Sequence, residues 1–215
     1  MKKELTEIVF VLDRSGSMCG LESDTIGGFN AYISKQRKEE GDANVTTVLF
    51  DDCIELIHDR TNIKNIKPLT EKQYYVRGCT ALLDAVGYSI SRMIDTQKKL
   101  SDESKADKVV FIITTDGYEN ASHEYTYSSI KKLIQKQKEK YNWEFIFMGA
   151  NIDAVSEAEK LGIHSSRAVK YYHDEEGVKE TYEAAAIFTS NLRNNVKQKD
   201  SWKEKVVENY KKKRT

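Results

Sequence analysis

One proline and three cysteines stand among 215 residues, and both scarcities narrow what the chain can be. So little proline argues against long linkers and disordered arms. The cysteines, Cys19, Cys53 and Cys79, are odd in number and never spaced as C-x-x-C. That fits reduced thiols in a reducing compartment better than a disulfide frame or a zinc site; Cys19 and Cys79, in or next to the loops that carry the oxygen donors, read as packing thiols before redox or ligand roles. Net charge is missing too: Lys+Arg and Asp+Glu number 34 each, so no overall field draws the chain to nucleic acid or an anionic membrane. No apolar run approaches the length of a membrane span, and Met1-Lys2-Lys3-Glu4-Leu5-Thr6-Glu7 leads into a strand rather than the apolar core of a signal peptide. A cytoplasmic location is the expectation.

What the chain has instead is alternation. Ile8-Val9-Phe10-Val11-Leu12 and Lys108-Val109-Val110-Phe111-Ile112-Ile113-Thr114-Thr115 read as strands buried on both faces, as in the centre of a parallel sheet. Asn44 to Phe50, Trp143 to Met148 and Ala168 to Tyr172 read as further strands, with Cys53 to His58 as a hairpin partner across an Asp51-Asp52 turn. Between them lie helical patterns: one capped by Ser23 or Asp24 and running to about Glu39, one from Leu82 through Ile94, one over Tyr127 to Lys140, one from Asp153 to a Gly162 stop, and one over Glu175 to Asn194. Thr61 to Val76, holding Pro68, reads as a loop with a short helical turn. The order predicts an α/β fold: a doubly wound, mostly parallel sheet with one antiparallel edge strand and helices on both faces. It predicts one domain over 1–195 and a basic C-terminal tail or frayed helix over 196–215.

Both central strands end on carboxylates, Asp13 and Asp116, where open α/β sheets form their ligand crevices. Asp13-Arg14-Ser15-Gly16-Ser17 adds two hydroxyls at alternate positions, and Gly78-Cys79-Thr80 adds a third just before a helix. Oxygen donors of this kind suit a hard cation such as Mg²⁺. Any one loop alone is equally a helix cap or a turn; capping explains Ser17 but requires neither Thr80 nor Asp116.

With these five residues in order, the sequence resembles a von Willebrand factor A domain carrying a metal-ion-dependent adhesion site, over about residues 5 to 190. The pattern is D-x-S-x-S, a later Thr, and D-G after a hydrophobic strand, here Asp13, Ser15, Ser17, Thr80 and Asp116-Gly117. The resemblance implies a small intracellular bacterial or phage-type member, with those five residues around Mg²⁺, or Mn²⁺ or Ca²⁺ in its place. One carboxylate would then act through water, leaving the ion undercompensated with an open position. Such a site docks a Glu or Asp from a partner protein, which suggests an adaptor or scaffold.

An enzyme is the competing reading. A haloacid-dehalogenase-type phosphohydrolase needs D-x-D after its first strand, but position 15 is serine. No G-x-x-x-x-G-K-S/T or G-x-G-x-x-G is present, and Gly16-Ser17 is not a nucleophile elbow. No catalytic activity is expected. Lys211-Lys212-Lys213-Arg214 leaves nucleic-acid binding as a minor alternative. Asp84 is a candidate support for the site or a helix-dipole acid. Glu119 and Asn120 border the site as tuning residues or as loop. Asp51 and Asp52 read as turn residues. His58, His123, His164 and His173 read as scattered surface or core residues, and Tyr171, Tyr172 and His173 as strand.

Overall fold

A computed structural model of the chain describes residues 4–198 and 200–214. Met1 to Lys3, expected as a lead-in, and Lys199 and Thr215 of the expected tail lie outside the described residues. The strands are β1 (Leu5–Asp13), β2 (Asp42–Phe50), β3 (Ile54–Asn62), β4 (Lys108–Thr115), β5 (Glu144–Gly149) and β6 (Ala168–Lys170). The helices are α1 (Glu22–Gln36), α2 (Leu82–Lys99), α3 (Tyr127–Tyr141), α4 (Ala154–Lys160), α5 (Glu175–Arg193) and α6 (Glu204–Arg214). The strands form one sheet in the order β3-β2-β1-β4-β5-β6. Every pairing is parallel except β2 with β3, which makes β3 the antiparallel edge.

Alternation along β1 divides the core in two. Ile8, Phe10 and Leu12 pack with α1, α5 and α6 on one face, and Val9 and Val11 pack with α2, α3 and α4 on the other. Each of these side chains is fully buried, a contribution of roughly 1.5–3 kcal/mol apiece. The chain leaves β1 toward β2 on one side and returns to β4 on the other, so the order reverses at β1/β4 and opens a crevice beyond their carboxyl ends. The register continues Leu12↔Thr114 on one flank of β1 and Asp13↔Phe50 on the other. Asp13 therefore lies beside Thr115, and Arg14 beside Asp51.

The boundaries differ from the sequence pattern in several places. Helix α1 starts at Glu22 with Leu21 at its cap, so Ser23 and Asp24 sit inside the first turn, where Glu22 and Asp24 face the positive end of the helix dipole. Strand β3 runs four residues past His58, through an irregular pairing at which Arg60 adopts φ +46°. The segment expected as a basic tail or frayed helix is a packed helix: a 3₁₀ turn over Asp200–Lys203 leads into α6, with Trp202 and Val206 buried. The Trp202 indole donates to the carbonyl of Ser166 and Lys203 to that of Ala168. No helix among the described residues is long and apolar enough to cross a membrane.

Candidate metal centre

Asp13 ends β1 fully buried, and both its oxygens are occupied. Oδ1 accepts from the Ser15 amide at 2.7 Å and Oδ2 from the Thr115 hydroxyl at 2.6 Å. Its carbonyl accepts from the Tyr74 phenol at 2.5 Å. Burial pushes the carboxyl up to about 6, with the Asp116 charge adding to it, against the lowering hydrogen bonds from Thr115 and Ser15.

The three hydroxyls of the sequence pattern meet beside it. Ser15 Oγ lies 3.0 Å from Ser17 Oγ, and Thr80 Oγ1 donates to Ser15 Oγ at 2.9 Å. Adjacent oxygens on an octahedral Mg²⁺ with bonds of 2.0–2.1 Å stand about 2.9 Å apart, so these spacings suit a shared ion. Ser15 and Thr80 are buried and Ser17 is exposed, which gives the cluster a closed floor and an open rim. Gly117 completes it: a Cβ there would sit 2.8 Å from Ser17 Oγ and 2.9 Å from Thr80 Oγ1, inside the hydroxyl cluster.

Asp116 is 3% exposed, and neither carboxylate oxygen accepts a well-directed hydrogen bond, although His173 Nδ1 stands at ion-pair distance, 3.1 Å, from Oδ2. Burial raises its pKa, offset in part by Ser17 and by the positive form of His173. A buried carboxylate left this way is costly unless a cation neutralises it. Two carboxylates and three neutral hydroxyls at these spacings fit a hard divalent ion.

Hydrogen bonds from outside the cluster fix the loops. The Gly16 amide donates to the Gly78 carbonyl, the Arg77 amide to that of Arg14 and the Ala81 amide to that of Asp51. Asp51 Oδ2 accepts from both the buried Arg14 (2.9 Å) and Arg77 (2.7 Å). Burial alone would raise the Asp51 pKa, but Arg77, the Cys53 amide and Arg14 together bring it below the usual carboxylate range. Asp51 makes the expected turn and also ties three loops together. Asp51, Asp52 and Cys53 present ligand atoms within 4.8 Å of one another, yet Asp51 is committed to two guanidiniums. Asp84 accepts from the amides of His123, Glu124 and Tyr125. It thus supports the loop after Asp116, beyond any dipole role. Glu119 caps Leu83 and its own loop, and Asn120 Oδ1 accepts from the Thr80 amide, so both position the site's backbone.

Two expectations are corrected here. Cys19 and Cys79, expected as packing thiols, are free and exposed, as is Cys53. His173 is neither scattered surface nor core: its Nδ1 stands 3.1 Å from Asp116 Oδ2. Asn151, after β5, places its side-chain nitrogen 2.8 Å from the same Nδ1. Both residues follow strands whose carboxyl ends face the crevice, and that position was the available signal. A cavity of about 590 Å³ between α1 and α5 includes none of the five predicted residues.

No protein-family model and no curated protein sequence matches the chain. Solved structures match its fold. Proximal thread matrix protein 1 from the mussel byssus, with a zinc-occupied MIDAS motif, aligns with a TM-score of 0.60 and 15% identity, over 87% of this chain and 46% of that one. The manganese-loaded Plasmodium vivax TRAP protein aligns at 0.59 and 15%, over 88% and 74%. A von Willebrand factor type A structure from Catenulispora acidiphila aligns at 0.57 and 14%, over 88% and 43%. The chain has the fold of a von Willebrand factor A domain. It spans less than half the length of the mussel and Catenulispora chains.

Proposed function

We propose that the chain is a metal-dependent, non-catalytic protein-binding module, an adaptor or scaffold within an intracellular assembly. Asp13, Ser15, Ser17, Thr80 and Asp116 hold a divalent cation, Mg²⁺ on the chemistry of the oxygen set, and a Glu or Asp of a partner protein completes its shell. The observation that carries the reading is the buried Asp116 carboxylate, with neither oxygen in a well-directed hydrogen bond, beside three hydroxyls at octahedral spacing. A divalent ion bound there supplies an electropositive open position that an anionic oxygen fills. The protein's own part is to hold the floor dry and rigid while exposed Ser17 leaves the rim open.

Binding is favoured over phosphoryl transfer by position 15, which offers a hydroxyl where a second acid would stand. A nucleic-acid arm is disfavoured because Lys213 is paired with Asp174 and Glu176, and Lys205 with Glu180 and Glu183. The test is capture of partner protein from a lysate with Mg²⁺ and with EDTA, using wild type and Thr80→Ala. Capture that needs metal and is lost in the variant supports acidic docking; capture that persists in EDTA removes it. Hydrolysis of a generic phosphate ester that is lost in Asp13→Ala would establish the enzyme instead.

A further inference from the structure

We propose that the outer face between α1 and α5 is a second docking surface, which takes a segment of a partner protein carrying a large apolar side chain next to a lysine or arginine. It is separate from the cation cluster and needs no metal.

The first observation is a groove. The cavity of about 590 Å³ between α1 and α5 meets another of about 610 Å³ between α1 and the loop at Thr70 to Lys72, and Ser23 and Gly27 line both. Neither cavity is enclosed, so the two form an open channel that crosses α1 at Gly27. An open channel suits a length of chain better than a small ligand, which is normally surrounded on most sides.

The second observation is Gly27 itself. Glycine inside a helix weakens it relative to alanine, and the adjacent Gly28 has a packing reason: a Cβ there would run into the Tyr182 ring. A Cβ at Gly27 would meet nothing within 4 Å. Nothing in the fold requires this glycine, and it leaves helix backbone bare at the crossing. Bare backbone is what lets another chain approach closely.

The third observation is the chemistry of the walls. At the end nearer the crevice, Asp24 in the first turn of α1 and Glu175 in the first turn of α5 line the same cavity. The helix dipoles account for an acid in each first turn, but across one groove end the two also repel. Burial and the Glu175 charge both push the Asp24 carboxyl up. Neither acid is in a salt bridge among the described residues, Lys213 being taken by Asp174 and Glu176. The groove's own cations stand further along, Lys179 about one turn down α5 and Lys35 about three turns down α1. Beyond them Ile187 is 43% exposed, and Ala31 is exposed on the facing helix. Complementarity therefore asks for a cation at the Asp24–Glu175 end and an apolar side chain toward Ala31 and Ile187.

The test selects random peptides displayed on phage against the immobilised whole chain in EDTA, which keeps the metal centre empty and acidic docking silent. Enriched peptides are expected to pair Lys or Arg with a large apolar residue. A synthetic peptide of the enriched sequence is then titrated into wild type and variants. Gly27→Leu fills the crossing from open space, so it should melt no lower than wild type, and it should weaken the peptide by about tenfold or more. Asp24→Asn combined with Glu175→Gln should weaken it by about threefold or more and reduce its salt dependence. No enrichment, enriched peptides without a cation, or equal binding by Gly27→Leu overturns the proposal. Dimerisation of wild type in sedimentation that Gly27→Leu abolishes overturns it too, and gives the groove to a second copy. None of these outcomes bears on the metal centre, which is tested by cation titration.

Discussion

Arg14 Nε lies 2.9 Å from Asp51 Oδ2, and neither side chain reaches solvent. The pair joins the loop that follows β1 to the turn between β2 and β3. Because β1 alternates, Asp13 faces the cation cluster while Arg14 turns toward β2, so one strand end both supplies the site and anchors it. The guanidinium also donates to Glu55 at 2.7 Å and lies over the Tyr75 ring at 5.4 Å. Arg77 reaches the same carboxylate and also lies over the Tyr75 ring, at 5.5 Å.

Removing one member of a buried pair leaves an uncompensated charge, which typically costs 3–5 kcal/mol. Asp51→Ala should therefore destabilise the fold by about 3 kcal/mol, the lower end because Glu55 still accepts from Arg14. Asp52→Ala, on the exposed side of the turn, should stay within about 0.5 kcal/mol. Urea unfolding of the two variants checks the contrast.

Gly117→Ala should separate stability from binding. The new methyl's closest contacts are the ends of two side chains, Ser17 Oγ and Thr80 Oγ1, which can rotate away. Stability should change by less than about 1 kcal/mol, and cation affinity should fall by about tenfold or more because two donors are displaced. Circular dichroism and calorimetric titration of the same sample read both effects.

The raised pKa values of Asp13 and Asp116 give the metal-free protein a defined pH dependence. Asp13 holds its proton up to about 6 in the fold, against a carboxylate value near 4 in the unfolded chain. Between those values the native state binds more protons, so stability falls as pH rises through the window. For Asp13 alone the difference is roughly 3 kcal/mol at its limit. In chelator-treated protein the urea midpoint should be higher at pH 5 than at pH 7. Asp13→Asn should flatten the slope, and bound cation, by competing with the proton, should reverse it.

Much of this was legible in the chain because it depended on short range. Ile8 to Leu12 and Val109 to Ile113 are apolar on both faces and could only be central strands, and their terminal carboxylates marked the crevice. The spacing of Asp13, Ser15 and Ser17 is set by one loop. What could not be read depended on register. Arg14 looked like a variable loop position, yet the β1–β2 pairing sets it against Asp51, 37 residues away, where it is buried. His173 looked like one of four unrelated histidines until the β5–β6 pairing placed its loop on the same edge as Asp116. The last segment looked like a basic tail because its lysines outnumber its anchors, but Trp202 packs edge-on against Phe188 at 5.4 Å and holds it to α5.

The most direct test of the central claim is calorimetric titration of a divalent cation into wild type and Asp116→Ala, with circular dichroism confirming the fold of each. The account predicts saturable one-site binding in wild type and its loss in the variant, whose fold is retained because the substitution removes a buried charge that accepts no well-directed hydrogen bond and leaves His173 open to solvent. Equal binding by the two proteins would contradict it.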